Sequence, residues 1–444
     1  MSADEKNYIA LFNDLVDIVD KDGIPTFLVK NERNELGLFE SVELDGKTYY
    51  PPEKEHMPFV LPRANEVIKH YQEQIHKEKV SNKKLYKELV SYLTDVSDLP
   101  DDNLYYMLAA WVIHTYLLDK FDYSPYINLH ALPARGKTKT GRGLINISYR
   151  GLNIESVAVA HLFRYSENYE ATLFLDAKDI SGSAKKMGFE DILLKRFEKG
   201  AIVARINPDA GAFEDTRYYK IYGATVVATN EAIDDILSTR GITINMPESS
   251  KLFDRTPTPE EILHLKEKLT AFRARYQDKE LPTVTKPCLG RLGDIIKPLL
   301  QIVRLVNAKE EIRILKLIEN INNDNRTALS ESEEACIFMT ILKLKPFIRN
   351  GKLDNSKITA SYNEGTPSYQ RTSARHIADV TRAMGFKKGS SSNGGSAIYW
   401  DEVVIKSLCN RYGISYTPQP SVTSVSSASA NSNSINLSTG RNNE

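Results

Sequence analysis

The chain has 444 residues, a length that suggests about two to four domains. Hydrophobic residues make up 41% and charged residues 26%, as in an ordinary globular protein. Its 58 basic and 58 acidic residues give a formal net charge of zero, so any surface for a polyanion must be a local patch. No run of 18 apolar residues occurs and "MSADEKNYIALFNDL" lacks an apolar signal core, so we expect neither a membrane span nor a signal peptide.

Residues 1–95 are predicted to form a mixed, largely helical N-terminal region. The stretch "YIALFNDLVDIV" predicts a helix, "GIPTFLVKN" and "GKTYYPP" predict short strands, and "ANEVIKHYQEQIHKEKVSNKKLYKELVSYL" predicts a long helix with a solvated charged face.

Segment 96–250 alternates helices with apolar strands. The helix "NLYYMLAAWVIHTYLL" is apolar all round and is predicted to be buried. Gly200 is predicted to end the helix "FEDILLKRFEKG". This pattern predicts an α/β fold, a parallel sheet with helices on both faces. Its predicted strands are "YINLHA", "ATLFLD", "AIVARI", "ATVVAT" and "GITINM".

The stretch "ALPARGKTKTGR" lies between the first of these strands and a helix. Its spacing matches the phosphate-binding loop G-x-x-x-x-G-K-[ST], with Ala131 in place of the first glycine. Loop amides and a helix N-terminus hold phosphates, a lysine neutralises their charge, and a hydroxyl binds Mg²⁺. The alternative is a chance Gly-Lys-Thr at a helix start. The predicted nucleotide-binding residues are Ala131, Pro133, Arg135, Gly136, Lys137, Thr138 and Lys139.

Three further polar residues follow or precede later strands. Asp176 ends "ATLFLD", where a carboxylate holds Mg²⁺ together with Thr138; the alternative is a strand-end cap. Asn230 follows "ATVVAT" and either orients an attacking water or caps the next helix. Arg240 precedes "GITINM" and either reaches a phosphate, in its own subunit or a neighbour's, or forms a salt bridge.

The remaining chain divides into three parts. Segment 251–328 is predicted to be a helical lid or linker, with a capping signal at Thr258. Segment 329–416 has the order helix, helix, basic helix and Gly/Ser-rich hairpin, which predicts a winged helix that binds DNA; protein contacts are the alternative. Segment 417–444 is rich in Ser and Asn and is predicted to be disordered. The predicted DNA contacts are Arg371, Arg375, Arg382, Lys387 and Lys388. Trp400 and Tyr399 are predicted to anchor the hairpin to the core rather than to stack on bases.

The cysteines and histidines predict neither a disulfide framework nor a metal site. Cys288, Cys336 and Cys409 are far apart and odd in number, which predicts reduced, buried thiols in a cytoplasmic protein. The eight histidines show no metal-ligand spacing, so no zinc site is expected.

The order Gly-Lys-Thr, strand-Asp, strand-Asn and Arg-before-strand resembles the additional-strand P-loop ATPases, the AAA+ and helicase-like group. More narrowly, "LFLDAKD", "YYKIYGATVVATNE" and "LSTRGITINMPE" resemble ATPases of phages, plasmids and other mobile elements that carry a C-terminal winged helix. The resemblance covers about residues 95–300 well and 329–416 loosely. It implies ATP and Mg²⁺ as cofactors, DNA as partner, a homo-oligomeric ring and a role in replication of a mobile element.

Two departures from the family pattern bear on hydrolysis. Ala131 replaces the leading glycine, and Asp176 is followed by Ala177, where active members carry a catalytic glutamate. Asp179, Glu170 or Glu198 could substitute as the base.

Two functions are therefore open. One is a DNA-engaging ATPase, either a helicase-like motor or a clamp. The other is a DNA-binding regulator that binds ATP with little or no hydrolysis. A small-molecule P-loop kinase fits poorly, since the winged helix would then be unexplained.

Overall fold

The computed structural model describes residues 6–154, 159–206, 211, 215–233, 235–249, 251, 253, 256–391 and 394–414. The chain divides into two compact units, Met1–Asn322 and Asn323–Glu444, each with its own buried apolar cluster. The segment predicted to be disordered, 417–444, lies outside the described residues.

Six short strands begin the first unit. They are β1 Asn7–Tyr8, β2 Leu15–Lys21, β3 Ile24–Lys30, β4 Leu36–Phe39, β5 Val42–Leu44 and β6 Lys47–Tyr50. β2, β3 and β4 form one antiparallel sheet, while β6 pairs with β1 in parallel and with β5 in antiparallel orientation.

The helix predicted for "YIALFNDLVDIV" is wrong, because its second half belongs to strand β2. Asp22 and Gly23 have φ angles of 53° and 88°, which closes a two-residue turn that pairs β2 with β3. Val16 and Val19 pack in one apolar cluster and Ile18 in another, so β2 is buried on both faces. A strand that is apolar on both faces lacks the period-two pattern that would reveal it.

Three helices follow the strands: α1 Ala64–Ile75, α2 Glu78–Val96 and α3 Asp102–Tyr116. α3 is buried along nearly its whole length, which confirms the prediction for this apolar segment. The Asp101 carboxylate accepts a hydrogen bond from the backbone N–H of Asn103 and caps the helix. The charged stretch predicted as one helix forms two, α1 and α2.

A five-stranded parallel sheet forms the centre of the first unit. Its strands are β7 Tyr126–His130, β8 Leu152–Ile154, β9 Leu173–Asp176, β12 Thr225–Thr229 and β13 Gly241–Asn245, in the spatial order β13-β7-β12-β9-β8. All four pairings are parallel. Helices flank the sheet, so the predicted α/β class is confirmed. The flanking helices are α4 Lys137–Ile147, α5 Val159–Tyr169, α6 Ile180–Met187, α7 Glu190–Lys195 and α8 Asp235–Ser238.

Two local predictions in this region are wrong. The strand predicted for "AIVARI", β10 Ile202–Ile206, does not join the parallel sheet but pairs antiparallel with β11 Thr216–Lys220. Its Ile206 side chain is 73% exposed, so the apolar letters do not mark a buried strand here. The helix α7 ends at Lys195, and Gly200, with a φ of 84°, lies in the turn before β10 rather than at the helix end.

Three helices complete the first unit: α9 Pro259–Tyr276, α10 Gly290–Asn307 and α11 Glu311–Ser330, the last of which extends into the second unit. The predicted cap of α9 is confirmed as a capping box between Thr258 and Glu261. α9 packs against α1, which joins the end of this unit to its beginning.

The second unit has a helix-strand-helix-helix-hairpin order. Its elements are α12 Glu333–Lys343, β14 Lys352–Asp354, α13 Asn355–Tyr362, α14 Ala374–Ala383, β15 Lys388–Ser390, β16 Ser396–Tyr399 and α15 Glu402–Tyr412. The three strands form an antiparallel sheet in the order β14-β16-β15. α14 buries Ile377, the residue after the helix, Met384, is also buried, and Arg375 and Arg382 are exposed.

The cysteines only partly match their predicted burial. Cys409 is buried and Cys288 half-buried, but Cys336 is exposed on α12. The prediction of buried thiols is therefore wrong for Cys336, because it lies on the solvent face of an amphipathic helix.

Candidate functional site

The loop between β7 and α4 turns sharply just before the helix begins. Gly136, with a φ of 78°, lies at the N-cap of α4, and Ala134 also adopts a positive φ, of 65°. Ala131 is buried, its φ is not positive, and its N–H donates to the carbonyl of Thr229. Ala131 therefore needs no glycine-like conformation; the positive φ angles fall at Gly136, which adopts them freely, and at Ala134, where a side chain makes them strained.

Lys137 is the first residue of α4 and is only 7% exposed. Among the described residues, its side chain has no hydrogen-bond or ion-pair partner. Both the unpaired charge of Lys137 and the helix N-terminus beside it favour a nearby anion.

Thr138 and Asp176 are brought together across the sheet edge. The Thr138 hydroxyl donates a hydrogen bond of 2.6 Å to Oδ2 of Asp176, which ends β9. A hydroxyl and a carboxylate oxygen at this separation suit Mg²⁺, which prefers oxygen ligands and keeps several waters. Asp176 makes this contact instead of acting as a simple strand-end cap.

The other residues of the predicted loop point elsewhere. Arg135 lies 3.8 Å from Glu248, and Pro133 is exposed. The Lys139 ammonium lies 3.4 Å from the centroid of the Phe253 ring. Burial and the nearby Lys251 lower the pKa of Lys139 below its ordinary value. Lys139 is therefore placed on an aromatic ring and not beside Lys137.

Of the three carboxylates that could replace the catalytic glutamate, Asp179 alone lies at the carboxyl edge of the sheet, beside the loop between β7 and α4. Glu170 precedes β9, and Glu198 bridges to Tyr123, which precedes β7, so both lie at the opposite, amino edge. Asp179 follows β9 at the carboxyl edge and is exposed. Its carboxylate accepts a 2.8 Å hydrogen bond from Gly182 N–H and caps α6.

Asn230 lies at the carboxyl edge, directly after β12. The helix that follows, α8, begins at Asp235, so Asn230 is not its cap. The backbone N–H groups of Asn230 and Glu231 both donate to the carbonyl of Lys178, which ties this loop to the one that follows Asp176. Glu231 was not predicted; its only sequence signal is its place beside Asn230.

Arg240 lies at the amino edge of the sheet. It directly precedes β13, and its carbonyl accepts from the N–H of Tyr126, the first residue of β7. Its guanidinium lies 5.5 Å from the Phe197 ring. β7 is five residues long and separates Arg240 from the loop, so the structure does not bring Arg240 together with Lys137 of the same chain.

An apolar cavity of about 440 Å³ lies beside the start of α4. It was not predicted, because its walls come from three distant parts of the chain. Its lining includes Tyr92, Val96, Thr138, Arg142, Pro257 and Ile262.

The five basic residues predicted in the second unit are all exposed. Arg375, Arg382 and Lys388 line one groove of about 430 Å³ between α14 and the β15–β16 hairpin. Arg382 also contacts Asp379 at 3.0 Å, and Arg371 donates to a backbone carbonyl at 2.9 Å. Arg371 and Lys387 are not among the residues that line the groove.

Two aromatic residues that were predicted to anchor the hairpin differ from each other. Trp400 is partly buried and packs against the apolar cluster of the second unit, as predicted. Tyr399 is 41% exposed, and the Lys352 ammonium lies 5.0 Å from its ring centroid. The prediction is therefore wrong for Tyr399, because its strand position turns the ring outward.

No helix among the described residues is long and apolar enough to cross a membrane. No protein-family model matches the sequence, and no curated relative is found.

Several solved structures are similar to the chain at low sequence identity. The A-form apo structure of the NrS-1 C-terminal region has a TM-score of 0.35 and 11% identity over 86% of this chain and 95% of that one. The active helicase Cch of SCCmec type IV has a TM-score of 0.33 and 10% identity, covering 87% of this chain and 78% of that one. The inhibitor-bound JCV helicase has a TM-score of 0.26 and 13% identity, covering 58% of this chain and 67% of that one. Scores of this size do not establish a shared fold.

Proposed function

We propose that this protein is an ATP-binding, DNA-engaging ATPase, helicase- or clamp-like, that acts in the replication or maintenance of a mobile element. The observation that carries the proposal is the largely buried Lys137, whose ammonium has no partner among the described residues, one residue before the Thr138 hydroxyl that reaches Asp176. A phosphate chain with its Mg²⁺ supplies the missing counter-charge for both parts of this arrangement.

The strand order supports membership of the additional-strand P-loop group. β12 lies between β7, which carries the loop, and β9, which carries Asp176. This is the inserted strand for which the group is named. It also places Asn230 between the loop and Asp176 along the carboxyl edge, where an amide can orient a water for attack on the terminal phosphate.

Each site residue has a distinct part in the proposed reaction. The α4 amides and Lys137 hold the phosphates, while Thr138 and Asp176 hold Mg²⁺, which would neutralise charge on the phosphate oxygens. Asn230 orients the water, and Asp179 accepts its proton after its bond to Gly182 is released. The apolar cavity beside α4 is large enough to accept the nucleobase.

Arg240 supports assembly into a homo-oligomeric ring. Since it lies at the sheet edge opposite its own loop, a phosphate contact from Arg240 has to be made to the site of a neighbouring subunit. An arginine supplied in this way stabilises the charge of the transition state.

The second unit is proposed to be a winged helix that binds duplex DNA. Its element order, three-stranded sheet and groove of Arg375, Arg382 and Lys388 support this role. In this arrangement α14 enters the major groove, and the hairpin contacts phosphates through its lysines.

A specific observation also favours the second function, a nucleotide-responsive DNA-binding regulator with little or no hydrolysis. Ala177 follows Asp176, and the nearest substitute base, Asp179, is held by the N-terminus of α6. In that case ATP acts as a ligand that changes subunit geometry.

Phosphate release with Mg²⁺ and ATP, with and without single- and double-stranded DNA, tests these functions. Lysine-dependent release that DNA stimulates supports the ATPase, and Lys137→Ala is the control. Asp179→Asn and Glu231→Gln then show which carboxylate acts as base. ATP binding without release supports the regulator, and absence of ATP binding contradicts both.

A further inference from the structure

A cluster of metal-binding side chains lies between α1 and α9, outside the proposed nucleotide site. His70 belongs to α1, while His264 and Glu267 lie one turn apart on α9. One ligand atom from each of the three lies within 4.8 Å of the others. His70 and His264 are 194 residues apart, so no sequence spacing reveals the pair.

The distances fit a shared ion better than direct hydrogen bonds. His70 Nε2 and His264 Nδ1 are 3.4 Å apart, and His264 Nδ1 is 3.8 Å from Glu267 Oε2. Both separations exceed the usual hydrogen-bond range, whose upper end is about 3.2 Å. Ligand bonds of about 2.0–2.1 Å to Zn²⁺ can span both separations, with ligand angles of roughly 110° and 135°.

The groups around the cluster orient its ligands. His70 Nδ1 faces Glu73 Oε2 at 3.5 Å, so Nε2 is the ring nitrogen that faces His264. A carboxylate beside the second ring nitrogen is the usual neighbour of a metal-bound histidine. Arg63 donates to both oxygens of the fully buried Glu267, at 2.5 Å and 3.1 Å, and fixes that carboxylate. The backbone N–H of Arg63 also points at Oε1, whereas Oε2, the oxygen that faces His264, retains a second lone pair for a metal.

We propose that His70, His264 and Glu267 bind a zinc-class divalent cation that joins α1 to α9. Two imidazoles and one carboxylate are ligands that Zn²⁺ accepts, and they leave a fourth position for water. His264 is partly exposed, so the ion has a route of entry. The nearest lysine, Lys268, is paired with Glu88 at 2.8 Å. The ion clamps the N-terminal region onto the helix that follows the parallel sheet.

The test uses the full chain, stripped with a chelator and kept free of nucleotide. Competition against a chromophoric zinc chelator should show one tightly bound Zn²⁺ per chain, and Zn²⁺ should raise the Tm. Co²⁺ should give the visible absorption of a four-coordinate site. His264→Ala should abolish all three effects, and Glu73→Gln should weaken binding on the order of 10- to 100-fold.

Two control variants separate this site from others. His161→Ala removes an exposed histidine on α5, and Asp176→Asn removes the proposed Mg²⁺ ligand; both should keep the bound Zn²⁺. His264 is 45% exposed, so its variant should fold even if His70→Ala does not. Absence of stoichiometric Zn²⁺ binding in the wild type, or equal binding by a folded His264→Ala protein, would overturn the proposal and leave a plain contact between two histidines.

Discussion

Lys137 illustrates at the residue scale how burial turns a common tripeptide into a site. Gly-Lys-Thr occurs by chance in many proteins, but here the lysine is buried at a helix N-terminus without a counter-ion among the described residues. An anion bound at the helix N-terminus would neutralise that charge.

Lys137→Ala should weaken ATP binding about 10- to 100-fold, since a hydrogen bond to a charged group contributes about 1.5–3 kcal/mol. Fluorescent-nucleotide titration measures the change, and Lys69→Ala, at an exposed lysine on α1, is the control. Equal affinity of Lys137→Ala and wild type would contradict the phosphate-loop interpretation.

His114 gives a second prediction, which concerns how the stability of the protein depends on pH. It is fully buried on α3, and neither ring nitrogen has a hydrogen-bond partner among the described residues. Burial lowers its pKa to about 3. The unfolded chain therefore binds one more proton than the folded protein between about pH 3 and pH 6.5, so stability falls as the pH falls through this window.

His114→Leu should remove about 1.4 kcal/mol of acid destabilisation per pH unit below pH 6.5. Urea unfolding at several pH values between 7 and 5 measures the free energy of unfolding of both proteins. His161→Ala, at an exposed site, should follow the wild type. Parallel curves for His114→Leu and wild type would show that His114 titrates normally.

At the scale of elements, the α14–hairpin groove should be the duplex-binding surface. The combined change Arg375→Ala, Arg382→Ala and Lys388→Ala should weaken duplex binding and reduce the slope of log affinity against log salt by about 0.9 for each phosphate that the protein no longer neutralises. Fluorescence anisotropy at several salt concentrations measures both. Lys406→Ala, an exposed lysine on α15, is the control. An unchanged slope would mean that DNA binds elsewhere.

Helices were predicted well where a cap, an apolar face or a long apolar run marks them. α9 and α14 follow from caps and apolar positions, and α3 follows from its continuous apolar run. β2 was mistaken for a helix, because both of its faces are apolar, and β10 was placed in the wrong sheet. β8 was missed, because three residues are too few for a period.

At the scale of the whole molecule, the position of Arg240 at the amino edge of the sheet predicts an active site shared between subunits. Arg240→Ala should cut ATP hydrolysis strongly and leave ATP binding almost unchanged, because its own loop lies at the other edge of the sheet. Phosphate release and nucleotide titration measure the two effects.

A mixing experiment tests the shared site directly. Lys137→Ala and Arg240→Ala are each expected to be inactive, but an equal mixture should regain about a quarter of wild-type hydrolysis, since a quarter of random interfaces combine an intact loop with an intact arginine. Native mass spectrometry confirms that mixed oligomers form. No recovery in such oligomers would contradict a contact between subunits.

The sequence by itself determined the α/β class, the loop between β7 and α4, and the carboxylate at the end of β9, because strand ends and helix starts are local features that short patterns describe. It could not decide which carboxylates share an edge of the sheet with Lys137, since that depends on strand direction and order. The fold places Glu170 and Glu198 at the amino edge, which excludes them as catalytic bases, and it places Asp179 at the carboxyl edge. The pairing of His70 with His264 also needed the fold, because α1 and α9 meet only through tertiary packing.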